Sequence, residues 1–191
     1  MIIGITGTNG SGKGTVVAYL KTKGFTHYSA RQIIISEIER RGLSSDRETM
    51  RLVANDLRKT HHPAYVVEEL FKQAVVSGGD AVIESVRVLG EAEFLKQKGA
   101  FLIAIDAIRR LRYERVVRRG SPTDHISFDT FCEQEDAEMN NPEPWDMNVF
   151  GVMQLADYTI VNIGKPEDIA SRVDAIVDTL RRLEISRETM K

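Results

Sequence analysis

The sequence predicts an α/β fold in which helices alternate with the strands of a parallel sheet. Five short segments typical of strands are separated by longer segments with the periodicity of amphipathic helices. The first strand segment, residues 2–6, is continuously apolar, as a central strand buried on both faces would be. Gly7, Ser29, Glu84 and Asp106 fall at or just past strand ends, where parallel sheets bind ligands.

Turn and capping residues mark the elements of the first half. A helix over 13–23 ends near Gly24, and a second strand over 25–29 follows it. Gly42 suits the position just past a helix over 30–41. Three more elements are expected here: a helix over 47–59 capped within 44–46, a helix over 63–76 that Pro63 can start, and a buried strand over 81–84.

The second half continues the alternation. A helix over 89–98 precedes a strand over 101–105, and helical spacing returns over 109–119. Ser127 or Asp129 can cap a helix that ends near residue 139. The remaining elements are a loop over 140–146, a strand over 158–161 and an amphipathic closing helix over 166–183, with residues after 185 expected to fray.

Composition indicates one domain with a sizeable core. The chain has 191 residues and a formal net charge of -2, so no global positive field favours nucleic acid or a membrane surface. Its one cysteine, Cys132, excludes an internal disulfide and suits a reducing cytosol. No apolar run approaches the length of a membrane span. We therefore expect a cytoplasmic monomer or dimer with small-molecule partners.

A glycine-rich segment joins the first strand to the first helix. It consists of Gly7, Thr8, Asn9, Gly10, Ser11, Gly12, Lys13, Gly14 and Thr15 and contains the pattern G-x-x-x-x-G-K of a phosphate-binding loop. Glycines permit positive φ, so successive N–H groups can surround an anion at a helix N-terminus, where the helix dipole favours negative charge. Lys13 adds a positive charge for the outer phosphates.

Two residues are candidates for placing magnesium. Gly14 stands where the commonest form of the loop has a hydroxyl, and Thr15 supplies one a residue later. Glu84 ends the third strand, where a carboxylate can help to hold magnesium through water. The alternative for Glu84 is a carboxylate that caps the following turn.

Several arginines follow strands or end helices. Arg87 can bind a phosphate with two parallel hydrogen bonds, and Arg58 is a candidate contact for an acceptor phosphate. The helix after the fourth strand contains six arginines, of which Arg112, Arg115 and Arg119 share one stripe. Phosphoryl transfer needs positive charge around the transferring oxygens, so this stripe can serve that step. The alternative for each is a solvated basic surface.

The polar segment 120–126 is a candidate lid, whose closure would exclude water from the reaction. His125 lies in this segment, where a single histidine is more often incidental than catalytic. His61 and His62 have no other histidine or cysteine ligands nearby in the sequence, so no metal site is expected there.

These residues together resemble the nucleoside monophosphate kinase branch of the phosphate-loop proteins. Gly-Thr after Lys13 is similar to adenylate kinases. The run 156–162, followed by Gly164, is similar to dephospho-coenzyme A kinases and to small archaeal and bacterial nucleotide-kinase-like ATPases. The resemblance extends to about residue 180.

The resemblance implies the three-layer α/β/α fold of P-loop NTPases, with a five-stranded parallel sheet. It implies one kinase domain over 1–191, with an acceptor-binding region at about 30–77 and a lid at about 119–130. On the ATP side it implies roles for Arg115 against the adenine and phosphates, for Arg119 at the transferring phosphates, and for Asn162, Gly164 and Lys165 beside the adenine.

The acceptor side departs from the family pattern. Residues 84–87 resemble an acidic-Gly-x-(Pro)-Arg element, which implies that Arg87 holds the acceptor phosphate, although Ser85 replaces the glycine. Ser29 matches the start of a Thr/Ser-Gly-Asp element, but Gln32 replaces the acid, and the arginine that usually follows is absent. Arg31 or Arg58 can compensate.

The sequence thus predicts an ATP- and Mg²⁺-dependent phosphotransferase that acts on a nucleoside or deoxynucleoside monophosphate. An acceptor phosphate is already ionised at neutral pH, so no strong general base is required. Two alternatives stay open: dephospho-coenzyme A as acceptor with Glu84 as base, and a nucleotide-binding regulatory ATPase. The predicted catalytic residues are Lys13, Arg115 and Arg119, and the predicted acceptor residues are Ser29, Arg58, Glu84 and Arg87.

Overall fold

The computed structural model describes residues 1–121, 124–164 and 166–189, and within these ranges strands and helices alternate as predicted. The strands are β1 (Ile2–Gly7), β2 (Thr26–Ser29), β3 (Ala81–Glu84), β4 (Phe101–Asp106) and β5 (Tyr158–Val161). The helices are α1 (Lys13–Thr22), α2 (Ala30–Arg40), α3 (Arg47–Thr60), α4 (Tyr65–Ser77), α5 (Leu89–Gln97), α6 (Arg109–Arg119), α7 (Phe128–Met139), α8 (Val149–Gln154) and α9 (Pro166–Thr189).

The five strands form one parallel sheet in the order β2-β3-β1-β4-β5. β1 is central, so the glycine-rich loop leaves the middle of the sheet. Parallel pairing brings the carboxyl ends of the strands to one edge, where Ser29 lies opposite Glu84 and Gly7 opposite Ile105. This edge is where ligands bind in open parallel sheets.

Helices cover both faces of the sheet, which confirms the predicted three-layer architecture. One face packs against α1 and α9 through buried residues such as Val16, Leu20 and Val173. The other face packs against α2 to α5 and α8 through residues such as Leu70 and Leu95. Burial on both faces explains why the central strands are continuously apolar. None of the described helices combines the length and apolarity needed to cross a membrane.

Most element boundaries agree with the sequence-based expectation to within one residue, and three helices depart further from it. The helix α8 was not predicted, because six residues are too few to show helical periodicity; Asn148 caps it by accepting from the Gly151 amide at 2.9 Å. α4 begins at Tyr65 and not at Pro63. α9 continues to Thr189, so the predicted end at residue 183 was wrong; the Ser186 and Thr189 hydroxyls bond to carbonyls one turn back.

Candidate functional site

The P-loop, residues 7–15, turns from β1 into α1 against two neighbouring segments. Gly7 has φ 133°, and a Cβ there would lie 2.0 Å from the carbonyl oxygen of Ile105. Gly12 has φ 103° and caps α1, and a Cβ there would lie 2.2 Å from Nδ2 of Asn162. Only glycine fits both positions. The backbone N–H groups of the loop therefore stay accessible to an anion at the N-terminus of α1.

Lys13 lies back across the loop. Its Nζ donates to the carbonyl oxygens of Gly7 at 2.9 Å and Thr8 at 2.7 Å, and the residue is 9% exposed. Burial, reinforced by the positive charge of Arg87, lowers the pKa of Lys13 to about 7. An anion beside the loop would favour the charged form of this lysine.

Asn162, just after the edge strand β5, connects the P-loop to that edge of the sheet by a hydrogen bond. Its side chain is buried; Nδ2 donates to the carbonyl of Ser11 at 2.8 Å, and Oδ1 accepts from Arg115 at 3.3 Å. The other terminal nitrogen of Arg115 is buried with no hydrogen-bond partner among the described residues. The predicted ATP-side residues Arg115 and Asn162 therefore meet at the loop. Gly164 lies two residues further on, beside Asp168, and Lys165 falls outside the described residues.

A cavity of about 330 Å³ opens beside the P-loop at the carboxyl edge of the sheet. Its charged lining residues are Lys13, Arg31, Arg47, Arg51, Arg58, Arg87 and Arg119 on the basic side and Glu84 and Glu138 on the acidic side. The remaining lining residues are Asn9, Ser29, Ala30, Ile34, Met50, Ser85, Ser121 and Met147. A concave surface with this excess of positive charge suits a ligand that carries several negative charges.

All four predicted acceptor residues line this cavity. Ser29 lies at the end of β2, where α2 begins. Arg58 is buried, and its Nε donates to Oε1 of Glu91 at 2.9 Å, while its NH1 atom is buried without a partner in the described ranges. Arg87 donates to Oε2 of Glu138 at 3.0 Å. The cavity therefore joins the P-loop lysine to the two arginines predicted to bind the acceptor.

Glu84 ends β3 at the cavity wall. Its Oε2 lies 3.1 Å from Nε2 of His27, a residue that no sequence pattern singled out. Because Ser29 and Glu84 are opposite in register, His27 in β2 lies on the strand next to the one that carries Glu84. This contact fixes one oxygen of the carboxylate and leaves the group in the cavity lining beside Lys13.

Arg119 ends α6 at the mouth of the same cavity. Its Nε and NH2 atoms each donate to Asp124 at 2.8 Å, and NH2 also lies 3.5 Å from Oδ1 of Asn9 in the P-loop. The bond to the buried Asp124 carboxylate raises the pKa of Arg119 and lowers that of Asp124. Asp124 also accepts from the Ser121 amide at 3.0 Å, so it ties the predicted lid to Arg119. His125 is exposed and is not among the described lining residues.

Arg112 and Thr15 also lie away from the cavity lining. Arg112 is buried between α6 and α7, where it pairs with Glu135 and donates to the carbonyl of Ala107 at 2.7 Å. It is therefore a structural residue and does not extend the stripe formed by Arg115 and Arg119. Thr15 is exposed in the first turn of α1 and is not among the described lining residues.

The residues that the sequence did not single out are partners from distant parts of the chain. Arg47 and Glu138 line the cavity, Asp124 holds Arg119, and Glu91 holds Arg58. The one local signal was on α3, where Arg47 and Arg51 are four residues apart and therefore share a helix face.

Known proteins resemble this chain over most of its length. Residues 3–141 match the AAA domain family. A UPF0200 protein of Pyrobaculum aerophilum is 32% identical over 186 residues, which cover 94% of this chain and 98% of that relative.

Solved structures share the fold at lower identity. The structure of TT1252 from Thermus thermophilus has a TM-score of 0.64 and 22% identity, covering 94% of this chain and 97% of that one. A shikimate kinase from Aquifex aeolicus has a TM-score of 0.51 and 17% identity, with the same coverage. These likenesses agree with the P-loop fold of the structure. On the sequence matches, the chain belongs to the AAA domain family and to the UPF0200 family.

Proposed function

We propose that this protein transfers the γ-phosphoryl group of ATP to a small phosphorylated acceptor, in the first place a nucleoside or deoxynucleoside monophosphate. The observation that carries the proposal is the single cavity that begins at Lys13 and ends at Arg58 and Arg87. Donor phosphates on the P-loop and an anionic acceptor would meet in it. The fold likeness to a shikimate kinase, which phosphorylates a small molecule, supports this reaction class.

On the donor side, the P-loop amides and Lys13 would hold the β- and γ-phosphates. Arg115 contacts the loop through Asn162, and Arg119, one turn later on the same helix, reaches Asn9 of the loop. Positive charge that is already positioned when the reaction begins stabilises the charge that spreads over the transferring oxygens. The bonds from Arg119 to Asp124 would hold this guanidinium, which is charged at any relevant pH, at the mouth of the cavity.

On the acceptor side, Arg87 and Arg58 would bind the acceptor phosphate and align one of its oxygens with the γ-phosphorus. A phosphate monoester is mostly ionised at neutral pH and attacks without a strong base. Positioning would then account for most of the catalysis, because two reactants held in the right geometry no longer have to meet by diffusion.

Magnesium fits the donor set of this site. Glu84 presents a carboxylate in the cavity lining beside Lys13, and magnesium in kinases uses one or two carboxylates, with phosphates and water as the other ligands. The described residues contain no group of three acidic, histidine or cysteine side chains that would hold a metal on their own. Glu84 would therefore share the ion with ATP, while Thr15, which is exposed and not among the described lining residues, is left out of this set. When bound, the ion would neutralise charge on the phosphates.

The test is ADP release from ATP and Mg²⁺ against a panel of ribo- and deoxyribonucleoside monophosphates and dephospho-coenzyme A. We expect turnover with one or a few monophosphates, and a loss on the order of 100-fold or more in kcat for Lys13→Ala and Arg119→Ala. Arg110→Ala is the matched control, because Arg110 lies on the same helix as Arg119, its side chain is 64% exposed, and its ion pair within the described residues is with Glu114.

Three other outcomes would contradict the proposal. Turnover with dephospho-coenzyme A alone would show that the acceptor is dephospho-coenzyme A and not a nucleoside monophosphate. ATP hydrolysis that needs no acceptor would favour a regulatory ATPase. Equal turnover by the wild type and Lys13→Ala would assign the activity to a contaminant.

A further inference from the structure

We propose that Glu138 occupies the subsite for the acceptor's anionic group, and that a phosphate monoester displaces it where a carboxylate does not. This inference rests on the proposed function, in which the acceptor phosphate binds at Arg87. It adds Arg47 to the acceptor-binding residues, and it makes Glu138 an internal competitor that every ligand of the subsite must displace.

The geometry is that of an anion bound by two arginines. Glu138 projects from α7, with its side chain 12% exposed. Its Oε1 accepts from Arg47 of α3, and its Oε2 accepts from Arg87 in the segment between β3 and α5, at 3.0 Å. Two guanidinium groups from different elements thus converge on the two oxygens of one group. Arginine pairs bind carboxylate and phosphate oxygens in this way.

The charge balance favours a different occupant. One carboxylate carries one negative charge and two oxygens, and it faces two arginines. Arg58 lines the same cavity, is 2% exposed, and keeps its buried NH1 atom without a partner among the described residues. A phosphate monoester carries between one and a half and two negative charges and three acceptor oxygens at neutral pH. Its three oxygens can accept hydrogen bonds from Arg47, Arg87 and the NH1 atom of Arg58 together. The Glu138 carboxylate leaves that NH1 atom without an acceptor.

Displacement of Glu138 would select among acceptors. An internal carboxylate competes with every ligand of the subsite and reduces its apparent affinity by the fraction of molecules in which the subsite is occupied. A carboxylate ligand offers the arginines no more than Glu138 does, so it gains nothing by exchange. A phosphate monoester offers more charge and one more oxygen. At the same ligand concentration the subsite therefore binds phosphorylated acceptors, which bind the arginines tightly enough to displace Glu138, and leaves carboxylate acceptors unbound.

The test uses the full chain with the donor site filled by Mg²⁺ and a non-hydrolysable ATP analogue. Inorganic phosphate and acetate are titrated by calorimetry into the wild type, Glu138→Gln and Glu133→Gln. Glutamine keeps the size of the side chain and removes its charge. Glu133 is the matched control because it is an exposed carboxylate on the same helix and is not among the described lining residues.

We expect Glu138→Gln to bind phosphate about threefold to tenfold more tightly than the wild type, because the internal competitor is weakened. Acetate affinity should rise by a similar factor, while Glu133→Gln should match the wild type. Arg47→Ala should bind phosphate more weakly, and Arg47→Ala with Glu138→Gln should show little of the gain. Phosphate affinity in Glu138→Gln that equals or falls below the wild-type value would overturn the proposal, because Glu138 would then serve only to position the two arginines.

Turnover separates this inference from the proposed function. If a monophosphate is phosphorylated, its KM should fall in Glu138→Gln with kcat little changed; an unchanged or higher KM would reject the role of Glu138 and leave the function intact. If no monophosphate is phosphorylated, the proposed function fails, and the phosphate titration still decides whether Glu138 occupies the subsite. Thermal unfolding of each variant identifies any that has lost its fold.

Discussion

Arg58 and Glu91 form an ion pair that joins α3 to α5, and their side chains are 1% and 0% exposed. The second oxygen of Glu91 accepts from the backbone amides of Arg87 at 2.8 Å and Val88 at 3.3 Å. One buried carboxylate therefore holds the side chain of one cavity arginine and the backbone of another. The positions of Arg58 and Arg87 are linked through it.

Glu91→Gln should lower the free energy of unfolding by about 3 to 5 kcal/mol, because it leaves the buried guanidinium of Arg58 without a counter-charge. Urea unfolding at neutral pH measures this change. Glu93→Gln, an exposed change on the same helix, should stay within about 0.5 kcal/mol of the wild type. A loss below about 1 kcal/mol in Glu91→Gln would show that water or a shift of α3 compensates the charge.

Lys13 should make stability rise with pH. Its folded-state pKa of about 7 lies below its ordinary value of 10.5, so between these values the unfolded chain binds more protons than the folded one. The free energy of unfolding therefore increases as pH rises through 7, where the folded chain loses the proton of Lys13. Between pH 7 and pH 9 we expect the free energy of unfolding of the wild type to rise by about 2 kcal/mol relative to Lys13→Met.

The measurement is urea unfolding of both proteins across this pH range without nucleotide. Subtracting the Lys13→Met curve removes the titration of every other group. Parallel curves for the two proteins would mean that Lys13 stays charged in the folded chain, and the penalty for burying it would then be balanced by its bonds to the loop carbonyls.

Ser85 follows Glu84 with φ 74°, in the left-handed region where a side chain is strained. Ser85→Gly should raise the free energy of unfolding by about 0.5 to 1 kcal/mol, since the relief of strain exceeds the added entropy of glycine in the unfolded chain. Ser36→Gly is the control: it lies exposed within α2 at helical φ and should lower stability by about 0.5 kcal/mol. Destabilisation by Ser85→Gly would indicate that the serine hydroxyl contributes more than the strain costs.

Asn162→Ala should weaken binding of the donor nucleotide. The change leaves the carbonyl of Ser11 and the guanidinium of Arg115 without their shared partner, and each unpaired buried polar group costs about 1 to 3 kcal/mol. We expect the Kd for an ATP analogue to rise about tenfold, as judged by fluorescence titration. Asn140→Ala, in the exposed loop after α7, should bind as the wild type does. An unchanged Kd in Asn162→Ala would show that the P-loop keeps its shape without this contact.

Much of the fold was predictable because its signals are local. The P-loop pattern, the apolar strands and the capping residues each lie within a few neighbouring positions, and Asp46 and Ser127 cap α3 and α7 as expected. The α8 helix was missed because six residues span fewer than two turns.

The partners of the cavity arginines were not predictable in the same way. Glu138 lies 91 residues from Arg47 and 51 from Arg87, and Glu91 lies 33 residues from Arg58. Periodicity places a residue on a face of its own element, but it carries no information about which distant charge that face meets. The sequence could therefore nominate Arg58 and Arg87 without showing what holds them.

The contact between Asn162 and the P-loop has a consequence for where the nucleotide site ends in the chain. The segment that matches the AAA domain family ends at residue 141. Asn162, whose side chain donates to the carbonyl of Ser11, comes 21 residues later, after β5. The backbone N–H of Asn162 in turn donates to the backbone carbonyl oxygen of Asp106 at 2.6 Å. A fragment that ended at residue 141 would keep every glycine of the loop and lose the hydrogen bond from Asn162 that holds it, so the donor site depends on the whole sheet.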